Sequence, residues 1–322
     1  MTAFARRSLI AAMLGATAAR AQPAWPEHAV RLVVPFPPGG SNDIVARLLA
    51  EALRERGGQP VLVENRAGAG GNIGADAVAK AAPDGHTLLL AAPGPFAINE
   101  HLYRSMPYDP ARDLVPVALV AAVPIVLVVP AESPARTLRD LIASAKQAPG
   151  RLAFGSSSIG GTNHLAGELL KDMAGIDIVH VPYRGAAPAM TDLVAGRLQF
   201  YFDNMPGVLP QIRDGRIRAL AVAGAARAAV LPAVPTMAEA GLPGFAASAW
   251  FGLAAPGGTP PALAQRIGEA VLATLTEPSL REKLAAAGAE PGSLGPAGFA
   301  RFVAAERLRW GEVVRASGAR AE

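Results

Sequence analysis

Short β-branched runs alternate with amphipathic helical segments along most of this chain, and that alternation restricts its fold more than any other feature. A parallel strand pair needs a crossover, and a helix that packs back on the sheet supplies it. Repeated strand–helix units therefore point to a doubly wound α/β sheet. Residues 30–35 read as a strand. Ser41 or Asn42 caps a helix with the apolar face Ile44, Val45, Leu48, Leu49, Ala52 and Leu53, ending at Gly57. A strand over 61–64, a glycine-rich turn, a helix over 72–82 and a strand over 87–90 complete one unit. A second series follows, with strands at 152–154, 178–181, 198–202 and 217–223 and helices at 137–146, 162–174, 187–195 and near 207–213. A strand over 250–254 and helices over 261–275, 279–287 and 296–317 close the chain. The extended segments near 118–129 and 249–255 are expected to pair as two crossings between two domains. Two crossings make a hinge, and a hinge between α/β lobes makes a cleft.

The first 21 residues have the pattern of an export signal: Arg6 and Arg7, then an apolar stretch too short for a bilayer, then small residues around Ala21. Residues 1–21 are therefore expected to be a signal peptide and the mature chain periplasmic. The arginine pair fits either the general or the twin-arginine route. Removing this segment takes away Arg6, Arg7 and Arg20 and no acid, so the formal charge of +4 falls to +1. That balance, with no basic run interleaved with aromatics, argues against nucleic-acid binding. The chain has no cysteine, which excludes disulfides, thiolate chemistry and cysteine-held metals. Hydrophobic residues are 51 % of the 322, enough for two ordinary domains without such staples. The apolar run 114–129 is interrupted by Pro116 and Pro124 and rich in valine, so it reads as strand rather than membrane helix.

Three strand-to-helix turns carry the chemistry, because helix N-termini present unpaired N–H groups and a positive dipole end. The first holds Phe36, Pro37, Pro38, Gly39, Gly40, Ser41 and Asn42. Its glycines let a ligand approach the backbone, and Ser41 and Asn42 can cap the helix or donate to a carboxylate. The second runs from Gly68 through Gly70, Gly71 and Asn72 to Gly74. It fails the dinucleotide fingerprint because Ile73 stands where the third glycine belongs, leaving an anion nest or plain close packing. The third holds Ser156, Ser157, Ser158, Ile159, Gly161, Thr162 and His164, without the spacing of a nucleophile elbow. His164 reads as a helix residue bonded to a neighbouring loop, with no paired acid evident. His28, His86, His101 and His180 lack metal-ligand spacing. Asp203, with Asn204, follows a strand and either accepts from a ligand amine or hydroxyl or caps the next helix. Arg184, between Tyr183 and Gly185, either pairs with a carboxylate or makes an interdomain ion pair.

These residues lie within longer segments: 33–41, 63–74, 82–85, 164–169, 181–185, 234–241 and 250–256. In that order they resemble the Bug-type receptors, the substrate-binding proteins of tripartite tricarboxylate transporters. The resemblance implies a type II periplasmic binding protein fold, two doubly wound α/β domains joined by two crossing strands. It places domain 1 at 22–122 plus 247–322 and domain 2 at 123–246. It implies a monomer that closes on a small carboxylate, held by Phe36, Pro37, Gly39, Gly40, Ser41 and Asn42 with Gly70, Gly71 and Asn72. The far contacts would come from Ser156, Ser157, Gly161, Thr162, Tyr183, Arg184, Gly185 and Asp203. Pro37-Pro38, Asn42, Ile159 and Arg184 depart from the family's usual residues, and Asn42 and Ile159 do so within the pocket.

The expectation is thus reversible capture of a di- or tricarboxylate, an acidic amino acid or an aromatic acid, with no cofactor and no reaction. The loaded receptor would go to a membrane carrier or be read by a sensor kinase. An enzyme on this fold would need a nucleophile–base pair, a metal cluster or a cofactor loop, and the sequence offers none.

Overall fold

The computed structural model describes residues 25–321; the expected signal peptide, 1–21, lies outside the described residues. The first unit runs β1 (Val30–Val34), α1 (Ser41–Gly57), β2 (Val61–Asn65), α2 (Asn72–Ala79) and β3 (Thr87–Ala91). A π-helical turn, Gly94–Ile98, and the short α3 (Asn99–Leu102) follow, and then the long strand β4 (Leu114–Pro130). The second unit is α4 (Leu138–Gln147), β5 (Ala153–Ser156), α5 (Thr162–Ala174), β6 (Val179–Pro182), α6 (Ala186–Val194), β7 (Phe200–Asn204), α7 (Met205–Arg213) and β8 (Ile217–Val222). The chain closes with β9 (Ser248–Pro256), α8 (Pro261–Leu275), α9 (Pro278–Ala286), β10 (Glu290–Pro291) and α10 (Pro296–Ser317).

The strands form one path in the order β2-β1-β3-β9-β4-β7-β5-β6, with β8 and β10 also on β4. β1 is parallel to β2 and β3, and β5 is parallel to β6 and β7. These are the doubly wound halves of two lobes. β4 belongs to both. Its first part pairs antiparallel with β9, and its last part, from Ile125 on, pairs with β7 and β8. The two prolines fit this division, since proline cannot donate to a ladder. Pro116 lies at a register shift against β9, and Pro124 pairs with Ser248 where β9 begins and the second lobe's pairing takes over. The return crossing reaches β9 through Ala247, whose amide donates to Ala223 O at 3.2 Å. β9 therefore starts at the crossing rather than spanning it, a correction to the expected role of 249–255.

Parallel strands covered on both faces need unbroken apolar runs. β3, parallel to β1, supplies one; β4, antiparallel to its partners, is apolar and buried along most of its length as the strand shared by both lobes, and Phe154, Phe200, Tyr201, Phe202 and Phe251 are completely buried. α10 lies across the back of this core. Its Glu306 accepts from the indole N–H groups of Trp250 on β9 at 2.8 Å and of Trp310 at 2.9 Å.

Two local readings need correction. The N-cap of α1 is Gly40, with no side-chain cap; Ser41 and Asn42 are the helix's first residues, which frees their side chains for other partners. Asp203 and Asn204 lie within β7, which begins two residues later than expected; just before it, Gln199 meets Ala153 through both its backbone N–H, which donates to Ala153 O, and its Oε1, which accepts from Ala153 N.

Candidate functional site

The carboxyl ends of six strands face one another across the cleft. In open α/β sheets this is where ligands bind, because the following helices begin there. A cavity of about 70 Å³ lies between them, room for about five waters or a small organic acid. After β1 it is lined by Phe36, Pro37, Gly40, Ser41 and Asn42, after β2 by Gly70, and after β3 by Ala92, Gly94 and Asn99. The second lobe contributes Ser157 to Ile159 and Gly161 to Asn163 after β5, Gly185 and Ala186 after β6, and Asp203 and Asn204 at the end of β7. Four helices, α1, α5, α6 and α7, thus begin at this cavity. Each brings orphan amides and a partial positive charge. Among the described residues that line it there is no lysine, arginine or histidine.

The cleft is shut. Ser41 Oγ donates to Asn204 O at 3.3 Å, from one lobe to the other. A Cβ built on Gly185 would stand 2.8 Å from Pro37 Cγ, and one on Gly160 only 1.9 Å from Leu102 Cδ1. Outside the cavity a wider recess of about 650 Å³ is lined by Gly68 to Gly71, Tyr103, Ile159 and Pro182 to Gly185 among others.

Each turn is held from behind. Asp43, buried in the first turn of α1, accepts from Gly39 N at 3.0 Å, Asn65 Nδ2 at 3.0 Å and Arg47 Nε at 2.9 Å. Burial alone would raise its carboxyl, but Arg47, the Gly39 amide and Asn65 together hold it below the usual carboxylate range. Asn65 Nδ2 also donates to Phe36 O at 3.1 Å, tying the first turn to β2. In the second turn Asn99 Nδ2 donates to Gly70 O at 3.1 Å and to Asn72 Oδ1 at 2.6 Å. Gly71 N bonds back to Gly68 O, and Asn72 N to Ala69 O. Those amides are bonded within the turn, which fits close packing, the second of the two readings left open above, and leaves Gly70 as the residue of that turn at the cavity. In the third turn Gly160 N donates to His164 Nδ1 at 3.0 Å, and Ser156 Oγ donates to Ser158 O at 2.9 Å. His164 does have an acid beside it: Glu168 Oε1 lies 3.7 Å from its Nε2.

Of the anticipated ligand contacts, Phe36, Pro37, Gly40, Ser41, Asn42, Gly70, Ser157, Gly161, Thr162, Gly185 and Asp203 come together on the inner cavity. Gly71, Tyr183 and Arg184 line the outer recess. Tyr183 is occupied: its hydroxyl donates to Asp192 Oδ2 at 2.7 Å, and burial followed by that acid pushes it up to about 12. Gly39, Asn72 and Ser156 line neither space and instead carry the hydrogen bonds just described.

The profile described as tripartite tricarboxylate transporter family receptor (TctC) matches residues 45–319. The chain belongs to this family. It is 44 % identical over 297 residues to protein BugT of Bordetella pertussis, covering 92 % of this chain and 91 % of BugT. Among solved structures it is similar to R. palustris Rpa4515 with adipate, at 44 % identity and a TM-score of 0.89, over 92 % of this chain and 99 % of that one. It is also similar to MatC (Rpa3494) from Rhodopseudomonas palustris with bound malate, at 35 % identity and a TM-score of 0.84, over 90 % and 100 %. Both the Bug-type resemblance and the type II periplasmic binding protein fold are thereby established. The chain is a periplasmic receptor for a small molecule and not an enzyme, as expected.

Several residues of the receptor's cavity were not anticipated. Ala92 follows β3, Gly94 opens the π-helical turn, a form that recurs at functional sites, and Asn99 begins α3 directly after that turn. Its one sequence signal is the pair of prolines around Gly94. Asn163 lies one residue inside α5, with its Nδ2 on Ser157 Oγ at 2.8 Å. Asn42 has neither amide atom partnered, and Asp203 Oδ2 and Asn204 Oδ1 are likewise buried without a partner.

Proposed function

We propose that this receptor captures a small dicarboxylate in the closed cleft and delivers it to the membrane subunits of a tripartite tricarboxylate-type transporter. One observation carries this reading: four helix N-termini from two lobes begin at one cavity whose described lining has no cationic side chain. Orphan amides can hold a carboxylate there through main-chain donors and ordered waters, without the desolvation cost of burying an arginine. Buried polar atoms on Asn42, Asp203 and Asn204 that have no protein partner are available to a ligand or to water in the cavity. The dicarboxylate class is supported by two relatives whose structures hold adipate and malate. In this reading residues 1–21 are a cleaved export signal. Domain 1 (22–122 with 247–322) and domain 2 (123–246) are the bodies that close.

The test is a thermal-melting panel on the purified receptor. Succinate, malate, glutarate and adipate raise the melting temperature, by about 2.7 kcal/mol of added stability at a hundredfold excess over Kd. Citrate, hexanoate and benzoate are the comparison acids. If only these comparison acids stabilise the protein, the dicarboxylate assignment is wrong; if no acid does, carboxylate capture is wrong.

A further inference from the structure

Asp203 poses a charge problem that the capture of a dicarboxylate has to solve. Its side chain is 4 % exposed and lies at the cavity, and its Oδ1 accepts from its neighbour's amide, Asn204 N, at 2.9 Å. Its Oδ2 has no partner, although it precedes the N-cap of α7; the first turn of that helix brings Gly207 beside it rather than an amide bonded to it. Around it stand the Tyr201 phenol on β7, Asn163 of α5, Ser41 and Asn42 of α1, and the apolar strand β4. The titratable groups early in those two helices have partners of their own: Asp43 and Arg47 pair with each other on α1, and His164 accepts from Gly160 N on α5. Burial, opposed by Asn204 N and Tyr201, pushes the Asp203 carboxyl up to about 7. A ligand with two ionised carboxylates would bring the charge in this small space to three negatives with no cation. Such groups cannot all stay ionised when brought together away from water.

We infer that Asp203 selects for a second carboxyl group at the far end of the ligand and holds it as an acid–carboxylate pair bridged by one proton taken up on capture. The inference rests on the dicarboxylate reading above. The balance is simple: one proton from solvent joins the Asp203 carboxylate and the incoming carboxylate, and no covalent bond other than O–H changes. The remaining carboxylate of the ligand stays ionised against the helix N-termini. Asn42, with both amide atoms unpartnered, can donate to either end. A monocarboxylate of equal length lacks the second group and needs no proton.

Isothermal titration calorimetry of the full mature chain with adipate, repeated in buffers of different ionisation enthalpy, counts the protons. Uptake close to one per adipate is expected at pH 7.5–8, with none for hexanoate. Affinity for adipate should fall by about tenfold per pH unit above about pH 7.5, and less steeply below it, because binding and protonation are linked. Asp203→Asn removes both the uptake and the pH dependence. Adipate binding without proton uptake overturns the inference while leaving dicarboxylate capture intact. So does tighter binding of 6-aminohexanoate, which would make Asp203 a partner for ammonium. Failure of every carboxylate to bind overturns the reading on which it rests. The wild-type proton count against hexanoate decides the matter even if Asp203→Asn does not fold.

Discussion

His164 and His180 lie ring over ring, centroids 3.8 Å apart, beneath the serine-bearing turn. Burial holds His164 down to about 3, with His180 adding to the effect, and burial alone holds His180 down to about 4. Both are neutral in the folded protein at pH values where the unfolded chain binds protons. Their depressed values mean that stability present above about pH 6.5 is lost as pH falls toward 4. Asp203 acts in the opposite sense. Its raised value means that the folded state keeps a proton the unfolded chain has shed, so stability is lost as pH rises from the ordinary carboxyl value of 3.8 to about 7 and levels off above it. Two histidines against one acid leave a net of one proton between pH 4.5 and 6.5. The ligand-free protein should therefore be most stable near pH 7 and lose about 1.4 kcal/mol per pH unit on the acid side. His164→Gln, whose amide oxygen can still accept from Gly160 N, should flatten that slope. Urea denaturation across this window measures both, and an unchanged slope in the variant would show that His164 is not buried neutral. None of this pairing is visible in the sequence, where the two residues stand sixteen positions apart. Asp43 and Asn99 were missed for the same reason, since side chains that brace a turn from behind have no spacing rule. The glycines were legible because backbone shape needs them at fixed places: Gly39, Gly70, Gly71 and Gly185 all have positive φ.

The helices whose limits could be read correctly are the ones with hard punctuation. Pro261–Leu275 and Pro296–Ser317 each begin on a proline, and Thr162–Ala174 lies between glycines. Elsewhere the limits slip: α2 stops at Ala79, short of the expected limit at Ala82 just before Pro83. The two-residue β10 is too short to leave any pattern; the ladder of β4 defines it. α10 is attached to β9 by a buried polar clamp rather than by apolar packing alone. Glu306→Ala would leave the Trp250 and Trp310 indole N–H groups without their acceptor and should cost about 2–4 kcal/mol in urea unfolding. Glu306→Gln keeps an acceptor oxygen and should recover most of that loss. Equal losses in the two variants would show that charge, through Arg309, matters more than the indole bonds.

In the molecule as a whole, closure depends on how near the two lobes can come. Gly185 has φ +112, and a Cβ there would stand 2.8 Å from Pro37 across the cleft. Gly185→Ala should cost the ligand-free protein about 1–2 kcal/mol in backbone strain. It should cost ligand affinity a further factor of about ten, because the shut form is penalised separately. In small-angle scattering at the ligand concentration that half-saturates the parent chain, the variant should then stay near the larger dimensions, and it should need about tenfold more ligand to contract. Contraction of the variant equal to that of the parent would show that the contact does not limit closure.

One unbroken ribbon, β4, is stitched by backbone hydrogen bonds to both halves of the receptor. Sliding one half past the other would tear those stitches, while twisting or bending the ribbon keeps them. The closing movement proposed above would therefore follow a swing about this ribbon. Whether the receptor is loaded can then be sensed from the spacing of its two rims, so a membrane partner that touches both has no need to reach the cargo itself.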